Sequence, residues 1–199
     1  MRQINLGFNI LAAAALAAGI VWIGKSVSDR KTVAINPLEL NQNALATGKA
    51  PSIDWDVISI HDGDTMQVKR GNQKLKVRFA CIDAPELKQP LGIQSRDYLR
   101  ELVKNSRGKV GLDIISKDRY GRSVAEVWVS QSHGGGEPSP ELVQSLESSA
   151  GMVYPYEKYK SDCNSWDAVQ STSNQAQSKR LGVWSGDYQK PWDYRRSSR

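Results

Sequence analysis

Cysteine and histidine are scarce in this chain of 199 residues, which contains two of each. Cys81 and Cys163 match no zinc-ligand spacing, which leaves either two free thiols or one disulfide bridge. We interpret His61 and His133 as solvent-exposed loop residues. The sequence therefore offers no cluster of imidazole and thiolate ligands for a transition metal.

Long apolar runs are also rare, and the one that stands out lies between residues 6 and 24. Its 19 residues, broken only by Asn9, are nearly enough to cross a bilayer as a helix. A cleaved signal peptide is the alternative, but cutting near Ala17 would leave an apolar stretch at the new terminus. We interpret residues 1–25 as an N-terminal transmembrane anchor or signal segment and favour an anchor that inserts residues 6–24 into the membrane.

Neither sign of charge dominates the part of the chain that is expected to fold. The whole chain carries a net charge of +6, but from residue 53 onward 22 Lys and Arg face 19 Asp and Glu. Such a mildly basic domain permits a polyanionic partner without requiring one. Residues 26–52 are polar and aperiodic, as is typical of a linker. Residues 53–199 are long enough for one globular domain.

The hydrophobic pattern of this domain predicts a small barrel. Alternating residues on both sides of Asp62-Gly63 predict a hairpin, because this dipeptide readily adopts the positive φ angles of a tight turn. Further strands are predicted at 75–82, 109–115 and 123–129, and helices at 94–105, 142–152 and 166–181, with a flexible Gly- and Pro-rich break at 134–140. The predicted fold class is α+β, mainly β: a five-stranded OB-type barrel with about three helices, plus the N-terminal hydrophobic helix.

Residues 76–86 bring a guanidinium and two carboxylates to the end of an apolar run. Pro85 should end the strand and leave Asp83 and Glu86 on an exposed loop. Strict alternation would send Arg78 and Asp83 to opposite faces, so a shared site requires the strand to bend or end between them. Taken alone, the stretch is better explained as an ordinary surface strand end with an Arg and two solvated acids.

The hairpin turn offers another carboxylate, at Asp64, with the Thr65 hydroxyl beside it. Turn chemistry of this kind is common, and a metal ion is only one use for it. An EF-hand is excluded, because the aspartate ladder stops and no glutamate closes a twelve-residue loop.

Four separated motifs appear together in one order: DGDT at 62–65, Arg78 followed by DAPE at 83–86, DRYGR at 118–122, and GVWS at 182–185. Over about residues 56–185 the sequence resembles the staphylococcal nuclease (thermonuclease) family. The resemblance implies an OB-type barrel and calcium-dependent hydrolysis of phosphodiesters in DNA and RNA. It also implies that the protein binds Ca²⁺ through oxygen ligands.

The resemblance assigns roles to individual residues. Asp64, Asp83 and the backbone carbonyl of Ala84 correspond to calcium ligands, and Arg78 and Arg122 to phosphate clamps. Glu86 corresponds to the residue that orients or deprotonates the attacking water. Tyr154 and Tyr156 correspond to nucleotide contacts. The archetype has Thr where this chain has Ala84, which leaves a contact through the carbonyl intact.

The same residues satisfy the chemistry without reference to a family. Phosphodiester hydrolysis needs charge neutralisation on the phosphate and an activated, correctly placed water. Carboxylate and carbonyl oxygens are the hard ligands that calcium takes. The alternative is a non-catalytic OB-fold module that binds nucleic acid through aromatic platforms and basic grooves. A pure binder gains nothing from three carboxylates beside a polyanion, which favours the enzyme.

Two further expectations concern the disulfide and the C-terminal tail. Cys81 and Cys163 both belong near the expected cleft, and we predict that they form a disulfide. An export-dependent disulfide and the harm that a nuclease would do beside a genome favour a membrane-anchored extracytoplasmic domain or a secreted one, although the positive-inside count opposes it. For the tail, 191–196, we favour aromatic packing with solvated arginines over contact with nucleic acid.

Overall fold

The computed structural model describes residues 50–198. The predicted anchor at 6–24 and most of the predicted linker lie outside these residues. Within the described part, no helix combines the length and the apolar character needed to cross a bilayer.

The described residues form a closed, mainly β barrel of the predicted OB type. Five strands build it, in the spatial order β3-β2-β1-β5-β6, and a parallel pairing of β3 with β6 closes the ring. The short strand β7 extends the sheet beside β6, and β4 pairs separately with β8. The strands are β1 Trp55–Ile60, β2 Thr65–Arg70, β3 Gln73–Phe79, β4 Ile82–Asp83, β5 Lys109–Lys117, β6 Ser123–Gln131, β7 Ser139–Leu142 and β8 Tyr154–Pro155.

The barrel interior is filled by alternate side chains of these strands. Met66 and Val68 of β2, and Val77 and Phe79 of β3, are at most 2% exposed. Their neighbours Gln67 and Lys76 face outward, as the period of two requires. Each fully buried side chain of this size stabilises the fold by about 1.5–3 kcal/mol relative to exposure.

Within the part of the chain that the structure describes, four α-helices pack around the barrel: α1 Gly92–Asn105, α2 Val143–Ser149, α3 Trp166–Ser178 and α4 Pro191–Ser197. The first three match the helices predicted from periodicity, whereas α4 lies in the tail and has no apolar repeat long enough to announce it. Helix α1 buries Leu99 and Leu102 against the core. The predicted break at 134–140 is shorter than expected, because Ser139 and Pro140 pair with β6.

The hairpin between β1 and β2 is correct, but its predicted turn geometry is wrong. Four residues, 61–64, connect the strands, and neither Asp62 nor Gly63 adopts a positive φ. Gly63 is needed for space instead, since a Cβ there would lie 1.9 Å from Ser95 Oγ and 2.9 Å from Ala84 Cβ. The turn is therefore packed tightly onto α1 and onto the loop after β4.

The strand containing Arg78 does end before Asp83. Strand β3 stops at Phe79, and Cys81 takes a left-handed φ of 69° before β4 begins at Ile82. The Ile82 amide donates to the Ala80 carbonyl at 2.8 Å, which closes a tight turn. This break rotates the chain so that side chains on either side of it can share one face.

A disulfide ties this break to the segment before α3. Cys81 is bonded to Cys163, with Cα atoms 5.4 Å apart. Beside it, the Tyr156 amide donates to the Cys81 carbonyl at 2.8 Å. Strand β8 continues the contact, with Tyr154 opposite Asp83. The tyrosine segment is thereby fixed against β4, the strand that carries Asp83.

Candidate active site

A cleft of about 1230 Å³ opens beside the strand break. It exceeds the ~300–1,000 Å³ of an ordinary small-molecule pocket and suits a length of polymer. Three parts of the fold border it: the β1–β2 turn, the β5–β6 turn and the segment 156–162, with α4 across one end. Of the residues assigned from the sequence, those that line it are Asp64, Arg78, Glu86, Arg122 and Tyr156.

Arg78 lies at the centre of the acidic side of the cleft. Its guanidinium pairs with Asp64 through Nη1, and Nη2 donates to Asp83 Oδ1 at 2.6 Å. The pairing of Thr65 with Arg78 across β2 and β3 explains why Asp64 is in reach. Burial lowers the pKa of Arg78, a trend that Asp83 opposes, and the group stays charged at any ordinary pH.

Asp64 and Asp83 are held rigidly by their surroundings. Asp64 is 4% exposed and Asp83 is wholly buried. Asp64 Oδ2 accepts from the Ala84 amide at 2.6 Å, and Oδ1 accepts from the Thr65 hydroxyl at 3.1 Å. Their carboxylates therefore need no rearrangement of the backbone to present oxygen atoms to a cation.

Glu86 stands at the rim of the same cluster. Its side chain is 34% exposed, and Oε1 accepts from Arg195 Nη1 at 2.8 Å. The Glu86 amide donates to Gln89 Oε1 at 3.0 Å, which fixes the loop between β4 and α1. A partly exposed carboxylate beside buried ones is suited to meeting a water molecule.

Arg122 comes from the β5–β6 turn. The parallel register of β3 with β6 brings this turn alongside Arg78. Arg122 Nε donates to Asp118 Oδ2 at 2.6 Å, while Asp118 Oδ1 accepts from the Tyr120 and Arg122 amides at 2.9 Å. Asp118 thus shapes the turn and aims the guanidinium, leaving its outer nitrogens for a phosphate.

The two tyrosines assigned to the substrate lie in different surroundings. Tyr156 lines the cleft, and the Trp192 ring stacks on it with centroids 5.3 Å apart and planes 12° apart. Tyr154 is 2% exposed, and its hydroxyl donates to the Val183 carbonyl at 3.1 Å. Burial raises its pKa to about 12. Tyr154 is therefore buried behind the cleft, with its ring edge-on to Trp192, and does not line the cleft as Tyr156 does.

The residues present fit a hard divalent cation. Asp64, Asp83 and Glu86 supply only oxygen donors, and calcium takes six to eight such ligands. Two guanidinium groups, those of Arg78 and Arg195, already bind these carboxylate oxygens. The electrostatic potential at this cluster therefore favours a cation. Within the described residues, the one cluster that contains thiol sulfur is Cys81, Cys163 and Glu126, where the sulfurs are bonded to each other.

The sequence predicted no role for Asp118 and a solvated Arg195. It favoured packing of the tail aromatics but did not place Trp192 in the cleft. The role of Asp118 could have been predicted from the sequence. An aspartate often accepts hydrogen bonds from backbone amides a few residues later, and such bonds are typical of a tight turn. Arg195 and Trp192 had no such signal beyond their residue types. They lie more than 100 residues from Asp83 along the chain, and only the tertiary fold brings them to the cleft.

Comparison with known proteins agrees with this geometry. The family model described as staphylococcal nuclease homologue matches residues 76–186. The chain is similar to a micrococcal nuclease of Shigella flexneri, with 32% identity over 145 residues that cover 72% of this chain and 81% of that protein. It is also similar to the protein ParB of Escherichia coli, with 33% identity over 144 residues, 72% and 79% of the two chains. A thermonuclease of Staphylococcus hyicus is 24% identical over 191 residues, 93% and 99% of the two chains.

Proposed function

The chain belongs to the staphylococcal nuclease family and hydrolyses phosphodiester bonds, and from this premise we propose that it cleaves DNA and RNA with the help of a calcium ion. Asp64, Asp83 and the Ala84 carbonyl would hold the ion. When bound, it would supply positive charge to the phosphate and to the attacking water. The observation that carries the proposal is the pairing of Arg78 with both Asp64 and Asp83, the second of which depends on the break at Cys81.

The side chains of the cleft then divide the work of hydrolysis. Glu86 accepts a proton from the water that attacks phosphorus, while the bond to the leaving oxygen breaks. Arg78 of β3 and Arg122 of the adjoining β5–β6 turn neutralise the charge that builds on the phosphate oxygens. The planar fork of each guanidinium matches two phosphate oxygens, which a lysine cannot do.

Tyr156 supports binding rather than chemistry. Its ring lies on the wall of the cleft, at the end of β8, where a base of a single strand can stack once the face is open. Stacking tolerates every base, which suits cleavage of both DNA and RNA. The mildly basic surface of the domain adds salt-dependent attraction for either polymer.

The Cys81–Cys163 disulfide supports an extracytoplasmic location. Structural disulfides persist in oxidising compartments and are rare in the cytosol. Together with the anchor proposed for residues 6–24, the disulfide supports a nuclease domain that lies outside the cytoplasm, tethered or secreted.

A cleavage assay of the full chain tests the function. We expect hydrolysis of single-stranded DNA and of RNA with calcium and none with chelator. Glu86→Gln should lower kcat by about 10²–10⁴-fold with little change in KM, because a group acting on the water contributes mainly in the transition state. Glu137→Gln, in an exposed loop, is the matched control and should behave as wild type. Turnover near wild type in Glu86→Gln would remove Glu86 from the mechanism.

A further inference from the structure

The C-terminal segment 190–196 lies across the candidate active site, although it is outside the residues matched by the family model. Its helix α4 has seven residues, too few to be stable by itself in water. It must therefore be held by contacts with the rest of the domain. Two of those contacts fall on groups that the proposed reaction needs.

The first contact is made by Arg195 with the acidic cluster. Its Nη2 donates to Asp83 Oδ2 at 2.6 Å, and its Nη1 donates to Asp83 Oδ1 at 3.1 Å and to Glu86 Oε1 at 2.8 Å. With Arg78 also on Oδ1, both oxygens of Asp83 are engaged by guanidinium groups. Partial burial alone would lower the pKa of Arg195, but its bonds to Asp83 and Glu86 raise it.

Arg195 and a divalent cation need the same oxygen atoms. A calcium ion binds carboxylate oxygens at about 2.3–2.6 Å, and at Asp83 that position would bring it against the positive guanidinium. The water that Glu86 should activate would meet the same obstacle. Occupancy by Arg195 and readiness for catalysis are therefore mutually exclusive.

The second contact is made by Trp192 with Tyr156. The two rings are nearly parallel, and their centroids are 5.3 Å apart. A substrate base cannot stack on the Tyr156 face that Trp192 covers. The same helix thus fills the places of both a cation and a base, one helical turn apart.

The segment reaches solvent at the Arg195 contact. The Arg195 side chain remains 38% exposed, whereas the Asp83 carboxylate that it binds through two bonds is wholly buried. A cation from solvent can therefore displace the guanidinium only if α4 moves. Lys190 lies over the Tyr154 and Trp184 rings at 3.8 and 4.7 Å, and Gln89 Nε2 donates to the Gln189 carbonyl at 2.8 Å. These contacts lie at the start of the segment, where they can keep it attached while α4 moves.

We propose that residues 190–196 are an autoinhibitory latch, in which Arg195 competes with the divalent cation and Trp192 competes with a substrate base. The inference rests on the proposed function, since it concerns the same carboxylates and the same tyrosine. Linkage requires that calcium binding weakens the latch as much as the latch weakens calcium binding. Calcium and nucleic acid therefore act together to open the cleft.

Calcium titration of the full chain without nucleic acid tests the first competition. If the latch is closed about nine-tenths of the time, Arg195→Ala should bind Ca²⁺ about tenfold more tightly than wild type. Arg195→Lys keeps the positive charge, and its Ca²⁺ affinity should lie between those of wild type and Arg195→Ala. Arg196→Ala is the matched control on the same helix, because among residues 50–198 Arg196 pairs only with Asp193 and its side chain is 75% exposed; its Ca²⁺ affinity should match that of wild type.

Limited trypsin digestion measures release directly. Cutting after Arg196, relative to cutting elsewhere in the domain, should rise severalfold in wild type when Ca²⁺ replaces chelator. In Arg195→Ala the cut should be fast in both conditions. Protection of the tail by Ca²⁺ would overturn the latch.

Kinetics with single-stranded DNA test the second competition. Trp192→Ala should lower KM, because it frees the face of Tyr156, whereas a higher KM would make Trp192 part of the substrate platform and overturn its role as competitor. A wild type that cleaves DNA and binds Ca²⁺, with Arg195→Ala binding no more tightly than Arg196→Ala, would overturn the latch alone. A wild type that neither binds Ca²⁺ nor cleaves would overturn both proposals.

Discussion

Arg78 and Asp83 are five residues apart and face each other across a break in the chain, with Nη2 and Oδ1 2.6 Å apart. An unbroken strand would put them on opposite faces. The left-handed Cys81 between them makes the pairing possible, and the disulfide and the Tyr156 amide hold Cys81 in place. The candidate site thus depends on backbone geometry as much as on residue type.

Arg78→Lys should lower kcat by about 10²-fold, because an ammonium cannot bridge Asp64 and Asp83 and still present two donors to a phosphate. Steady-state cleavage of single-stranded DNA measures the loss. Arg70→Lys, whose pair with Asp54 is about half exposed, is the control and should keep wild-type kcat. Equal kcat values for the two variants would show that Arg78 has a structural role and no catalytic one.

The two tyrosines should fail in different ways. Tyr156→Ala should raise KM by about 5–150-fold, the equivalent of ~1–3 kcal/mol of lost stacking, at nearly constant kcat. Tyr154→Ala should instead reduce the free energy of unfolding by about 3–5 kcal/mol, because it removes a buried ring. Denaturant titration and steady-state kinetics on both variants separate the effects. A stable Tyr154→Ala with a raised KM would return Tyr154 to the substrate site.

Reducing the Cys81–Cys163 disulfide should lower the free energy of unfolding by roughly 4 kcal/mol, since the bridge spans 82 positions and restrains the unfolded chain. Urea titration with and without reductant gives the difference. The double variant Cys81→Ala, Cys163→Ala should unfold at the reduced midpoint and ignore reductant. Identical midpoints for oxidised and reduced wild type would show that the bridge contributes nothing to stability.

Local rules were enough to predict the barrel and the strand break that lets Arg78 meet Asp83. The alternation in β1–β3 and the requirement for a break between Arg78 and Asp83 both follow from the period of a strand. The steric demand on Gly63 does not, because it depends on Ser95 of a helix packed over the turn. The position of Arg195 likewise depends on where the tail folds back, so solvated arginines were the wrong expectation for that residue.

Burial of polar side chains in α2 was equally invisible in the sequence. Gln144 is fully buried and bonds both the Val127 amide and the Ala125 carbonyl, at 3.1 Å each. Its neighbour Glu147 has the spacing of an ordinary solvated glutamate but is also fully buried. Amphipathic periodicity assigns charged residues to solvent, and only the surrounding helices and barrel reverse that assignment here.

Glu147 should make the protein less stable as pH rises. Within residues 50–198 neither of its carboxyl oxygens has a hydrogen-bond partner. Burial, and then the charge of Asp62, raise its pKa well above the ordinary value of 4.5, while Arg78 opposes them. Above pH 4.5 the unfolded chain therefore releases a proton that the folded chain keeps. The free energy of unfolding should fall by about 1.4 kcal/mol per pH unit until the folded group ionises.

Glu147→Gln keeps the shape and removes the titration. Its stability relative to wild type should therefore grow steadily as pH is raised from 4.5, and urea titrations at pH intervals measure that growing difference. Glu137→Gln, which changes an exposed carboxylate, should keep a constant difference from wild type over the same range. If Glu147→Gln and wild type instead lose stability in parallel, the carboxylate is ionised inside the fold, and its charge is stabilised by Arg78 strongly enough to offset the cost of burial.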